Sequence, residues 1–139
     1  MENNNRTLQL FDIKVIFADL EDRGFGRNIV IDATDEKIQK AIIEWVKENN
    51  INGGEAKFKD YTNKDGETTK QYTFKLSKFT EFGGKDNLDE KAIGFGAIVN
   101  LLASAYEYEN KFGKGTSASL RAVYVKEGQV KSALSSIAE

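Results

Sequence analysis

The chain has 139 residues, 40% hydrophobic and 30% charged, the composition of a single globular domain with a core of ordinary size. It has no Cys and no His, which removes disulfides, most zinc sites, thiol nucleophiles and imidazole acid–base chemistry. With 20 Lys and Arg against 22 Asp and Glu, the net charge of −2 argues against a protein that is basic all over, and leaves room for a local cationic surface.

No apolar run approaches the ~18 residues of a membrane span. The first residues, Met1 to Arg6, are polar and carry no apolar signal segment. A frayed start and a cytoplasmic location are therefore expected. Leu8 to Leu20 reads as a strand with Phe11, Ile13, Val15 and Phe17 alternating on one face. Asp19 to Arg27 is a charged turn whose tip, Gly24–Phe25–Gly26, lies between Arg23 and Arg27. It could touch a base and its phosphates or be a plain hairpin tip. Asn28 to Asp32 is a short strand.

Thr34 to Asn49 is the expected helix, with Thr34 as its N-cap and Asp35 and Glu36 in its first turn. Ile38, Ala41, Ile42, Trp45 and Val46 recur at helical spacing, so Trp45 is expected in the core. Asn49–Asn50 and Gly53–Gly54 end it. Glu55 to Lys78 reads as a hairpin turning at Asn63–Lys64–Asp65–Gly66. Strand parity groups Lys57, Lys59 and Tyr61 with Gln71, Thr73 and Lys75 on one polar face, away from Tyr72, Phe74 and Leu76. Phe79 to Lys91 reads as an irregular stretch, with either Phe79 or Phe82 packing beneath it. Gly83–Gly84–Lys85 lacks phosphate-loop spacing.

Ala97 to Tyr108 is a long strand with Ala97, Val99, Leu101, Ala103 and Ala105 on its apolar face. Tyr106 and Tyr108 point the other way. Asn110 to Thr116 is a glycine-containing loop, and Ser117 to Lys126 is the returning strand, with Tyr124 placed beside Leu120 in the core. From Asn110 to Lys126 the chain carries Lys111, Lys114, Arg121 and Lys126 and no acid, with Tyr106, Tyr108 and Phe112 adjacent. Cations that follow phosphates and rings on which bases stack are what a single-stranded nucleic acid requires. A β-hairpin with solvated lysines has the same pattern. Gly128 to Glu139 has the spacing of a short helix.

The ordered set Gly94–Phe95–Gly96, Ile98–Val99–Asn100, Tyr106 through Gly115, and Ser117 through Val125 resembles the C-terminal half of the single-stranded-DNA-binding proteins of tailed phages. The resemblance implies a mainly β fold, a small OB-fold-like barrel with long hairpins and one helix packed on an end. It also implies sequence-independent binding of single-stranded DNA in phage replication or recombination. The candidate nucleic-acid-binding residues are Tyr106, Tyr108, Lys111, Phe112, Lys114 and Arg121 on one wall, with Lys57, Lys59, Tyr61 and Lys75 on a second. Single-stranded DNA, phage replication or recombination proteins and further copies of the chain are the candidate partners. Only Glu139 is acidic near the end, so recruitment through an acidic tail is not expected. The alternative is a β-rich protein-interaction module without nucleic-acid binding. An enzyme is not expected, nor a cofactor, since Asp86, Asp89, Glu90, Glu107 and Glu109 read as solvated charges.

Overall fold

The structure, a computed structural model, describes residues 6–21, 26–62 and 64–129. The strands are β1 (Thr7–Asp19), β2 (Asn28–Asp32), β3 (Lys59–Thr62), β4 (Thr68–Gly84), β5 (Ile98–Asn110) and β6 (Gly113–Glu127), with helix α1 (Glu36–Glu48) between β2 and β3. The sheet order is β2-β1-β5-β6-β4-β3, and β2 also pairs with β4. That last pairing closes β1, β2, β4, β6 and β5 into a barrel, with β3 as a short flap on β4. All pairings are antiparallel except β4 with β6. This is the closed Greek-key connectivity of an OB-type barrel.

The barrel interior is mainly aliphatic. Ile13, Val15, Ile29, Ile31, Val99, Leu120, Val123 and Val125 are almost fully enclosed. The apolar stripe of α1 lies against one end, burying Ile42, Trp45 and Val46 as its spacing predicts. The Trp45 Nε1–H donates to the Arg6 carbonyl at 2.9 Å, which ties the helix to the start of β1. The N-cap is Asp35, one residue after the expected Thr34. Its carboxylate accepts from the Lys37 N–H, while the Thr34 hydroxyl accepts from the Lys70 N–H of β4.

Two expectations about strand faces are overturned, both by β-bulges. In β1, Leu10 pairs with Leu101 and Ile13 with Val99, so one extra residue is accommodated near Asp12, whose φ is 56°. A second irregularity falls between Val15 and Phe17. Each bulge flips the parity. Leu8, Leu10, Ile13 and Val15 therefore point inward, while Phe11 and Phe17 are 62% and 56% exposed. In β6, Leu120 pairs with Ala103 and Ala122 with Leu102, leaving Arg121 as the extra residue. Beyond it Val123 and Val125 are core, and Tyr124, expected beside Leu120 inside, is 47% exposed.

The stretch after Lys78 is not an irregular loop. Phe79 to Gly84 continues β4 and pairs in parallel with β6 from Glu81 onward. The break lies at Ser77–Thr80, where the Thr80 hydroxyl accepts from the Ser77 N–H and donates to the Leu120 carbonyl, replacing ladder bonds. Phe82 packs against the core and Phe79 stays outside. The expected loop at 110–116 is mostly strand, with its tip confined to Lys111 and Phe112. Of the Gly24–Phe25–Gly26 tip, residues 22–25 lie outside the described residues, as do residues 130–139 of the expected C-terminal helix. Arg27 is no solvated tip residue: it donates to the Ser77 carbonyl at 2.6 Å and its guanidinium lies 5.9 Å from the Phe82 ring. No helix among the described residues is long and apolar enough to cross a membrane.

Candidate nucleic-acid interface

The outer face of β1, β2, β4 and β3 is built by cross-strand register. Phe17, Val30 and Thr73 form one row; Asp32, Gln71 and Lys59 form the next; Thr69 and Tyr61 follow. Lys75 stands opposite Asn28 on the same face. The grouping of Lys59, Tyr61, Gln71, Thr73 and Lys75 expected from parity is therefore the arrangement in the fold. Lys57 precedes β3 and is exposed.

This face holds a groove of ≈ 710 Å³ lined by Lys14, Ile16, Asp32, Tyr61, Gln71 and Phe95, among others. Phe95 comes from the entry to β5. The Gly96 N–H donates to the Val15 carbonyl at 2.9 Å and the Val15 N–H to the Ala97 carbonyl at 2.8 Å, which docks the turn on β1. Gly96 has a φ of 83°, a conformation that favours glycine. The turn holds the Phe95 ring in the open, with Lys14 Nζ 5.1 Å from its centroid. An exposed ring with a cation at its face, lining one groove with a second exposed ring (Tyr61), is an arrangement on which a base can stack beside a cation that can meet a phosphate.

The β5–β6 hairpin extends past the barrel and has two unlike faces. Tyr106 pairs with Ser117 and Tyr108 with Gly115. A Cβ on Gly115 would lie 2.6 Å from the Tyr108 hydroxyl oxygen, so the ring lies flat across the glycine. The other face carries Glu107 and Glu109. Glu107 is 3.9 Å from Arg6, and Glu109 is paired with Lys114 at 3.6 Å. Lys114, grouped with the tyrosines in the sequence, thus stands opposite an acid on the reverse face. At the tip Phe112 is 87% exposed, with Lys111 Nζ 5.2 Å from its ring centroid. Arg121 is the extra residue of the β6 bulge, between the Leu102–Ala122 and Ala103–Leu120 pairs and away from the tip.

The two walls meet at the seam between β4 and β6. There Thr73 and Lys75 of β4 and Ser117 and Ala118 of β6 line one small cleft, with Trp45 also lining it. The fold so links Lys75 to the strand position opposite Tyr106. Sequence reasoning placed Phe11 and Phe17 on an apolar strand face and Tyr124 in the core, and did not single out Lys14 and Phe95 as groove residues. For Phe95 a signal existed, an aromatic between two glycines. For Phe11, Phe17 and Tyr124 there was none, because each owes its exposure to a bulge.

No family model matches the chain, and no curated protein matches it in sequence. Solved structures do match. The single-stranded-DNA-binding protein of bacteriophage Enc34 superposes with a TM-score of 0.62 at 16% identity, over 100% of this chain and 97% of that one. The same phage protein in complex with single-stranded DNA gives 0.61 at 15% identity, over 94% of each chain. At such identity the likeness is one of fold.

Proposed function

We propose that this protein binds single-stranded DNA without sequence preference, as a phage-encoded, non-enzymatic replication or recombination factor acting in the host cytoplasm. The observation that carries the reading is the number of aromatic rings held at the surface. Among the described residues the ten exposed large apolar side chains comprise nine aromatics and Ile43, while the largest fully enclosed side chains are all Ile, Leu or Val and the buried aromatics are Trp45, Tyr72 and Phe74. A ring carries more apolar surface than an aliphatic side chain, so each one left in water forgoes more burial. Rings left outside beside lysines serve bases and phosphates instead. The fold shared with the Enc34 protein, whose complex with single-stranded DNA is known, supports the same reading.

In mechanism, Tyr61 and Phe95 offer stacking faces in the groove, with Lys14, Lys57, Lys59 and Lys75 along the phosphate path. Tyr106 and Tyr108 extend the platform up the hairpin, with Lys111 and Phe112 at its tip; Lys114 and Arg121 add charge from the reverse face and the bulge. Cooperative coating of a strand by further copies, and contact with replication or recombination proteins, belong to the same reading.

The test is a fluorescence-anisotropy titration of labelled oligo-dT and its duplex, at low and moderate salt. Preferential single-strand binding that weakens with salt is expected. The Tyr61→Ala/Phe95→Ala variant should lose at least about tenfold in affinity, since each base–ring stack is worth ~1–3 kcal/mol. No single-strand binding at either salt overturns the proposal, and equal binding to the duplex reduces the surface to a phosphate patch.

A further inference from the structure

The outer wall of β1, β5 and β6, next to the groove along β1, carries aromatics with few charges between them. The two bulges bring Phe11 and Tyr124 to this wall, where they line a hollow of ≈ 150 Å³ with Asn100, Leu102 and Ala122. The same strand parity continues up β5 through Ser104 to Tyr106 and Tyr108, a run of about 27 Å at strand rise. Their partners on β6 are Ser119, Ser117 and Gly115, with Arg121 exposed in the bulge between Ser119 and Tyr124. From Asn100 to Tyr108 no side chain on this face of β5 is a carboxylate, because Glu107 has the opposite parity. At the lower margin Asp12 is engaged by the Lys126 ammonium.

We propose that this wall is a second single-strand track, so that one DNA strand contacts two walls of the barrel and the protein binds in a short and a long mode. The inference rests on the groove reading above and adds a site to it. Charge selects the occupant: a polyanion meets Arg121 and no unpaired carboxylate along the run. Between the Phe11/Tyr124 hollow, lined also by Leu102 and Ala122, and the Tyr106 ring stand Ser104, Ser117 and Ser119, so the apolar surface is broken by hydroxyls rather than continuous as at the centre of a protein interface. The path between the walls is short. Tyr106 stands opposite Ser117, and Ser117 lines the same cleft as Lys75 of the groove face.

The experiment compares wild type, Phe11→Ser/Tyr124→Ser and Tyr61→Ala/Phe95→Ala on dT oligomers of about 8 and about 35 nucleotides, lengths set by the ~4–16-nucleotide range of one barrel. Affinity and stoichiometry are read at low and high salt, with circular dichroism to verify folding and sedimentation of DNA-free protein. Wild type should show a larger footprint at low salt than at high salt. The Phe11/Tyr124 variant should keep its affinity for the short oligomer, bind the long one at least about fivefold more weakly at low salt, and show one footprint at both salts. An unchanged footprint and affinity in that folded variant overturns the second track and leaves the groove standing. So does a loss of self-association as its sole effect, which would make the wall a contact between copies. A wild type that binds neither oligomer overturns both readings.

Discussion

Gly84 ends β4 where there is no room for a side chain. A Cβ there would meet the Leu88 carbonyl at 2.7 Å and the Val125 carbonyl at 2.8 Å, both backbone atoms that cannot swing aside. Gly84→Ala should therefore destabilise the fold by about 1–3 kcal/mol, the usual cost of overpacking, read as a shift in the urea midpoint without a change in m. Gly115 is the contrasting case. The atom facing it is the tip of the Tyr108 side chain, which can move, so an alanine there displaces a ring rather than a strand. The glycine pattern was visible in the sequence. Which glycine guards backbone and which accommodates a tyrosine depends on what lies across the ladder, and that is a tertiary fact.

The bulges determine which side chains each strand presents. The bulge of β1 is clipped to β5 and β6: the Asp12 N–H donates to Asn100 Oδ1 at 2.9 Å, and its carboxylate accepts from Lys126. That hydrogen bond, with the charge of Asp12, holds the Lys126 pKa above its ordinary 10.5. A lysine with a raised folded pKa contributes stability that is fully present below its unfolded value and is lost as pH rises through the folded one. The urea midpoint of wild type should exceed that of Lys126→Met at about pH 8, and the gap should close as pH passes beyond about 10.5. A gap independent of pH would assign the lysine a packing role only. Tyr72, whose phenol burial pushes up from 10.0, weakens both proteins alike at alkaline pH, so the difference isolates Lys126. Helix α1 shows how far periodicity reaches: five apolar positions at helical spacing named its buried face correctly. A strand pattern of the same quality failed in β1, because one inserted residue reverses every side chain beyond it and leaves no mark in composition.

Across the whole molecule, closure of β2 on β4 joins the β1–β2 and β3–β4 pairs into one cooperative barrel, with its sole tryptophan at the covered end. Trp45 is buried, hydrogen-bonded to Arg6 and 6.4 Å from the Phe74 ring. Its emission should shift to the red on unfolding in the same urea transition as the far-ultraviolet dichroism, the coincidence expected of a two-state domain. Separate transitions would mean that the helix end melts apart from the barrel. The sequence by itself determined the mainly β class, the single amphipathic helix with Trp45 inside, the β5–β6 hairpin and the polar face of Lys59, Tyr61 and Lys75. All of these rest on local period and turn chemistry, which a chain carries residue by residue. Only the tertiary structure decided that β4 runs on to Gly84 beside β6, that Lys114 stands opposite Glu109, and that Phe11, Phe17 and Tyr124 are outside. Those depend on register between strands distant in sequence and on bulges that reset it, and neither is encoded in any one segment.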